Sequence, residues 1–202
     1  MFLWPITAIL SLLLMERKMH RQRPKISIYI ATSIDGFIAR EDDSLDWLDC
    51  MGGDNEDYGF KNFLNSIDAV ILGRKTYEVA TTAYGTPNWP YQGKKIVVLS
   101  NTLQTVITEA QLYSGNLITL ASQLHSEGIR HAWIDGGLTI SQFLRLNMVD
   151  EMILSVIPIL LGSGIPLFDI KKELPCRLMC AQSYLSGLVQ IKYHIANQRD
   201  VK

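Results

Sequence analysis

The sequence predicts an α/β domain with a mostly parallel central sheet, helices on its faces and an antiparallel strand pair at the C-terminal end. Three observations carry this expectation. Short, continuous apolar runs recur along the chain, the pattern of strands covered on both faces rather than one. Segments with helical apolar spacing lie between them, as a sheet with crossover helices requires. The chain then closes with strand-like runs, the last two separated only by Leu185-Ser186-Gly187, which is hairpin spacing.

In chain order, the β-branched run from Lys25 to Thr32 is read as a first buried strand entering the turn-prone Ser33-Ile34-Asp35-Gly36. Ala69 to Leu72, Ile96 to Leu99, Leu117 to Leu120 and Ala132 to Ile134 are the further core strands. The stretches from Tyr58 to Leu64, Lys75 to Ala83, Ser122 to Glu127 and Leu138 to Leu146 read as helices. Glu151 to Pro158, Arg177 to Tyr184 and Leu188 to Ile195 are the final strands.

Composition bounds the function. The 202 residues are 48% apolar and 19% charged, enough for one domain with a substantial core and too apolar for disorder. A formal net charge of -1 provides no general basic field for nucleic acid or an anionic membrane. Cys50, Cys176 and Cys180 lack zinc-site spacing and have no histidine beside them, so plain thiols in a reducing compartment are expected. His125, His131 and His194 are isolated and read as packing or surface residues, and Trp47, Trp89 and Trp133 as packing.

The first fifteen residues hold twelve apolar side chains and no charge, followed by Arg17, Lys18, Arg21, Arg23 and Lys25. That run is short for a span, and a secretory signal would carry its charges ahead of the apolar part. Residues 1–24 are therefore read as a leader: a weak anchor through residues 1–15, a signal-like segment, or an extension ahead of a start at Met15 or Met19. An inserted leader would keep the domain of residues 25–202 cytoplasmic, because its positive charges follow the apolar run.

The chemistry is carried by strand ends. Gly73-Arg74-Lys75-Thr76 closes a strand and opens a helix; helix-terminal N–H groups, two cations and a hydroxyl together suit a phosphate. The P-loop spacing is absent, so ATP hydrolysis is not implied. Asp135-Gly136-Gly137 repeats the arrangement with two glycines that let backbone approach a pyrophosphate. Ser100-Asn101-Thr102 offers polar groups at a third strand end. Three such tips along one rim suit a dinucleotide. Eight acidic residues lie between Glu41 and Asp57 with no Lys or Arg among them. Glu56 or Asp57 could turn a carboxylate toward a pocket under the first strand, and either equally suits the N-terminal cap of the helix that follows. Gly162-Ser163-Gly164-Ile165-Pro166-Leu167-Phe168 reads as a turn with a hydrophobic clamp that lines a ligand or closes the core.

In order, I-A-T-S-x-D-G-F-I-A, D-Y-G, G-R-K-T-Y-E, V-V-L-S-N, I-D-G-G and P-I-L-L-G-S-G-I-P-L-F resemble the dihydrofolate-reductase-like superfamily, and within it the branch of the C-terminal reductase domain of riboflavin-biosynthesis proteins with its stand-alone bacterial relatives. The resemblance covers residues 25–195. It implies NADPH as cofactor, with Gly73, Arg74, Lys75 and Thr76 at its phosphates, Ser100 near the 2'-phosphate, Gly136 and Gly137 at the pyrophosphate, and Ala31 with the Ile34 to Ile38 loop at the nicotinamide. It implies Asp57, or else Asp35 or Glu56, as the carboxylate that orients substrate and relays the proton, and a homodimer as the assembly. The expected activity is hydride transfer to a C=N or C=O bond of a small heterocyclic or carbonyl substrate. The alternatives are the riboflavin-pathway 5-amino-6-(5-phosphoribosylamino)uracil reductase and a catalytically silent dinucleotide-binding scaffold. No zinc deaminase motif accompanies the domain, and the acidic stretch is a poor host for a sugar phosphate.

Overall fold

The computed structural model describes residues 22–51, 56–84 and 91–196. The apolar leader and Trp89 lie outside the described residues. The strands are β1 (Lys25–Ser33), β2 (Phe37–Ala39), β3 (Ala69–Gly73), β4 (Lys95–Leu99), β5 (Ala110–Tyr113), β6 (His131–Asp135), β7 (Glu151–Ile157), β8 (Ile165–Pro166), β9 (Cys176–Ser183) and β10 (Val189–Ile195). The helices are α1 (Phe60–Ser66), α2 (Arg74–Tyr84), α3 (Leu117–Ser126) and α4 (Gly137–Arg145).

Eight strands form one sheet in the order β5-β4-β3-β6-β1-β7-β10-β9. Pairing is parallel from β5 through β7 and antiparallel at β7–β10 and β10–β9. β7 is thus parallel to β1, because α4 returns the chain across the sheet before it, and the antiparallel section is confined to β10 and β9. β2 and β8 form a separate antiparallel pair beside the sheet, both too short to carry a sequence signal.

The central strands are buried on both faces, which explains their unbroken apolar runs. Alternation sends Ile71, Val97, Ala132 and Ile134 to one side, where they meet Leu120 and Leu124 of α3 and Ile140 and Phe143 of α4. Val70, Leu72, Val98 and Trp133 point to the other side, against Phe63 of α1 and Tyr77 and Ala80 of α2. The N-terminal edge of the sheet is fixed by Arg23, 4% exposed, whose guanidinium meets both oxygens of Asp150 at 2.6 and 2.9 Å. Asp150 also accepts the Ile26 N–H at 2.8 Å, so packing reaches upstream of Lys25.

One expected strand is corrected. Leu117 to Leu120 forms the first turn of α3, because Asn116 caps it by accepting the N–H groups of Ile118 and Thr119 at 2.8 and 3.2 Å. Leu120, Ala121 and Leu124 then fall on one buried face at helical spacing. The strand of this region is β5, an edge strand with no fully buried residue and hence no apolar run.

Among the described residues no helix is long and apolar enough to cross a membrane. The three cysteines are free and exposed, and no group of metal-ligating side chains is present among the described residues.

Candidate functional site

The C-terminal ends of β1, β3, β4 and β6 open on a groove of about 1060 Å³. Ala31, Gly73, Arg74, Lys75, Thr76, Ser100, Gly136 and Gly137 all line it. The parallel run of strands gives these ends one direction, so residues from Ala31 to Gly137 meet along one rim.

Two glycines set the groove's floor. Gly136 has φ +96°, and a Cβ there would lie 2.3 Å from Thr76 Oγ1. A Cβ on Gly73 would lie 2.9 Å from Thr139 Oγ1. Each strand tip therefore makes room for a threonine in the first turn of the helix that follows the other tip, which brings the starts of α2 and α4 together. Gly137 is similarly tight, with Pro166 O 3.0 Å from its would-be Cβ. The Gly162 to Phe168 segment thus closes against the rim: Gly164 packs on the Ala39 carbonyl, Ile165 lines the groove and Leu167 is buried.

Both cations of the groove hold carboxylates. Arg74 meets Glu78, one turn on, at 2.9 Å, and Lys75 meets Asp43 at 2.7 Å across the groove mouth. Ser100 Oγ accepts the N–H groups of Thr102 and Leu103 at 3.1 and 3.0 Å and so shapes the turn after β4. The N-terminus of α3 is closed by its own Asn116, whereas α4 begins at Gly136 with no side-chain cap. Its first N–H groups and positive dipole end face the groove.

A second cavity of about 200 Å³ adjoins the groove, sharing Tyr29, Ala31, Leu48 and Phe60 with it. Its back wall is held by Gln190, whose amide donates to Tyr29 Oη at 3.1 Å, Ser155 Oγ at 3.1 Å and the Tyr58 carbonyl at 3.0 Å. Burial pushes the Tyr29 phenol up. Tyr29 packs on Phe60 and Phe63 at ring distances of 5.4 and 4.8 Å, giving the cavity an aromatic side.

The three carboxylates singled out from the sequence are placed differently. Asp57 lines the small cavity while its oxygens accept the N–H groups of Gly59 at 3.0 Å and Lys61 at 3.2 Å at the start of α1. Those donors hold its carboxyl below the usual carboxylate range. Glu56 lines neither cavity and accepts the Tyr58 N–H at 3.1 Å. Asp35 lines neither cavity; it accepts the N–H groups of Leu161 and Gly162 at 3.1 and 2.7 Å, tying the β1–β2 turn to the loop before β8. The Ser33 hydroxyl, followed by these backbone donors, holds its carboxyl below the usual carboxylate range.

A fourth carboxylate, not among those the sequence singles out, lies in the groove itself. Asp135 ends β6 and lines the groove beside Gly136, whose N–H it accepts at 2.8 Å. Desolvation pushes its carboxyl up to about 6, against the pull of that N–H. The signal was an acidic residue closing a buried strand directly before the glycine pair.

With this geometry in view, residues 24–189 match the model of the RibD C-terminal domain family. The chain belongs to that family. It is similar, at 37% identity over 172 residues, to the uncharacterized protein YwjB of Bacillus subtilis, covering 84% of this chain and 97% of that one. A protein of Shewanella sp. PV-4, assigned provisionally to riboflavin biosynthesis, superposes with a TM-score of 0.79 at 34% identity, covering 86% of this chain and 99% of the other. The Saccharomyces cerevisiae riboflavin biosynthesis reductase Rib7 shares the fold, with a TM-score of 0.59 at 15% identity over 87% of this chain and 90% of that one. The architecture is thus the dihydrofolate-reductase-like fold of RibD-type reductase domains, a mostly parallel sheet with four helices and an antiparallel strand pair.

Proposed function

We propose that this RibD C-terminal-type domain is an NADPH-dependent reductase that delivers hydride to a C=N or C=O bond of a small heterocyclic or carbonyl substrate. The observation that carries the reading is one continuous groove joining Arg74, Lys75, Thr76, Ser100 and the Gly136-Gly137 pair, with a small aromatic-walled cavity opening from its side.

The residues fit the cofactor. A Cβ at Gly136 would collide with Thr76 and one at Gly137 would crowd Pro166 and Ile38, so both positions stay bare backbone beside the groove, and the start of α4, which has no side-chain cap, suits a pyrophosphate there. The ion pairs of Arg74 and Lys75 are exposed and worth at most about 1 kcal/mol each, so phosphate oxygens can replace their carboxylates. NADPH supplies the hydride. The chain aligns the reactants, excludes water and handles the proton.

Those tasks divide between two carboxyls. Asp57, kept ionised by the N–H groups of Gly59 and Lys61, orients a substrate through its ring N–H or amino group. Asp135, protonated in part near neutrality, gives its proton to the reduced nitrogen or oxygen.

Arg74 and Lys75 are the cations that line either cavity among the described residues, and both belong to the groove. The small cavity contains Asp57 as its charged residue and is below the size of a drug-sized ligand pocket. This favours an unphosphorylated ring over a phosphoribosylamino-pyrimidine. The riboflavin-pathway reading is supported by family membership and is tested directly by NADPH oxidation with 5-amino-6-(5-phosphoribosylamino)uracil.

The primary experiment is thermal unfolding with and without NADPH. A cofactor at 100 times its Kd stabilises the native state by about 2.7 kcal/mol. An unmoved Tm ends both the reductase and the dinucleotide-binding scaffold readings. A Tm shift without oxidation of NADPH by pterin, pyrimidine and carbonyl panels favours the scaffold. Arg74→Ala is expected to weaken NADPH more than NADH, and equal loss places Arg74 away from the 2'-phosphate.

A further inference from the structure

Ser155 presents a hydroxyl to the small cavity and not to the cofactor groove. It sits in the middle of β7, which pairs with β1 on one side and β10 on the other, so its backbone groups belong to the sheet and its side chain is what meets the cavity. In register it stands between Ala31 of β1 and Gln190 of β10. Alternation sends it to the same face as Ala31 and Ile157, which line the same cavity.

The bonds around Ser155 settle which way its proton turns. The Gln190 amide nitrogen lies 3.0 Å from the Tyr58 carbonyl, which can only accept, so the N–H groups of the amide face Tyr58, Tyr29 and Ser155. Ser155 Oγ therefore accepts from the β10 side, at 3.1 Å, and its own proton is directed away from Gln190, toward β1. There it faces the small Ala31 and, diagonally, the Tyr29 phenol, whose ionised form it favours. A hydroxyl turns freely about its Cβ–Oγ bond, so an acceptor on a ligand can take that proton with no other change in the wall. The two phenols lack this freedom: Tyr29 donates to the Tyr58 carbonyl at 2.9 Å and Tyr58 Oη to Ser186 Oγ at 3.2 Å. Because Ala31 lines both cavities, the Ser155 proton is directed to where they join.

Building on the reductase reading, we propose that the Ser155 hydroxyl is the specificity donor of the small cavity, selecting rings that present a neutral carbonyl oxygen toward the join of the two cavities while an N–H or amino group faces Asp57. A donor calls for an acceptor, and the Asp57 carboxylate in the same small space disfavours an anionic one. A carbonyl oxygen projects beyond the ring edge toward a short side chain, whereas a ring nitrogen is set back within it. Ser155 selects and orients here; the proton delivered to the reduced bond comes from elsewhere.

The test compares 2-aminopyrimidin-4-one with 2-aminopyrimidine, which lacks the carbonyl, for binding to the full-length protein saturated with NADP+. The wild-type protein is expected to prefer the pyrimidinone by about tenfold, as one well-placed hydrogen bond allows. Ser155→Ala is expected to weaken the pyrimidinone by about tenfold, to leave 2-aminopyrimidine unchanged and to keep the NADP+-induced rise in Tm, because position 155 lies outside the cofactor groove. Ser155→Thr restores the hydroxyl and should restore the preference, a rescue that a purely packing role would not give. The wild-type comparison needs no variant to fold. Equal binding of the two rings by wild type, binding of neither ring, a preference retained in Ser155→Ala, or one lost alike in Ser155→Ala and Ser155→Thr overturns the proposal. Failure of NADP+ itself to raise the wild-type Tm overturns the reductase reading, and this inference with it; a normal NADP+ shift with no ring discrimination overturns this inference alone.

Discussion

Gly136 and Thr76 meet where β6 and α2 come together, so closely that a Cβ on the glycine would stand 2.3 Å from the threonine hydroxyl. Gly136→Ala adds that clash to a φ of +96°, which L side chains rarely adopt. The variant is expected to lose about 1–3 kcal/mol of stability, and the NADPH-induced rise in Tm should be abolished. Urea unfolding with and without NADPH measures both. A variant with normal stability and a normal NADPH response removes the glycine from the proposed pyrophosphate cradle.

Asp135 sets a pH dependence with a definite sign. Its carboxyl is raised from the ordinary 3.8 to about 6 in the native protein, so the native state holds the proton more tightly than the unfolded chain. The stability linked to that proton is complete below about pH 4 and is lost as pH rises to about 6. Asp135→Asn cannot ionise and is expected to be more stable than wild type above pH 6, by up to about 3 kcal/mol. Turnover should fall as pH increases through 6, and the variant should lose that limb together with most of its kcat. Stability curves that run parallel from pH 4 to 8 would contradict the raised carboxyl.

Lys75 is held across the groove mouth by Asp43, which has φ 67° and therefore suits asparagine. Asp43→Asn frees the ammonium for phosphate and is expected to tighten NADPH by up to about fivefold at low salt, as for an exposed pair of up to 1 kcal/mol. The gain should vanish at high salt. Weaker NADPH binding in this variant would mean that the loop's attachment to α2 matters more than competition for the cation.

Arg23 and Asp150 are the buried ion pair that closes the N-terminal edge of the sheet. Arg23→Ala leaves a carboxylate in a dry site and is expected to cost about 3–5 kcal/mol in chemical denaturation. Lys75→Ala, at an exposed pair, should change stability by less than about 1 kcal/mol. Similar values for the two would show that Arg23 is better solvated than its packing indicates.

The sequence made the middle of the sheet legible because β1, β3, β4 and β6 are covered on both faces and so carry short runs rich in buried apolar residues. It misled at Leu117 to Leu120, where an apolar run of four is equally the start of an amphipathic helix and the Asn116 cap decides between them. β5, β2 and β8 stayed hidden, the first because an edge strand needs few apolar residues and the others because two or three residues form no pattern. The groove residues were readable as strand-end motifs. The small cavity was not, because it depends on contacts such as Gln190 to Tyr29, which join residues 161 positions apart. In sequence Asp57 and Glu56 read first as helix caps and only through the family resemblance as substrate ligands, and geometry separates the one that borders a cavity from the one that does not.

Gln190 lies on β10, nearly at the end of the chain, yet it fixes the wall against which a substrate would rest. During synthesis every residue lining the larger groove leaves the ribosome before this amide does. The wall of the small cavity is therefore the last part of the proposed site to be made, after every residue that borders the larger groove.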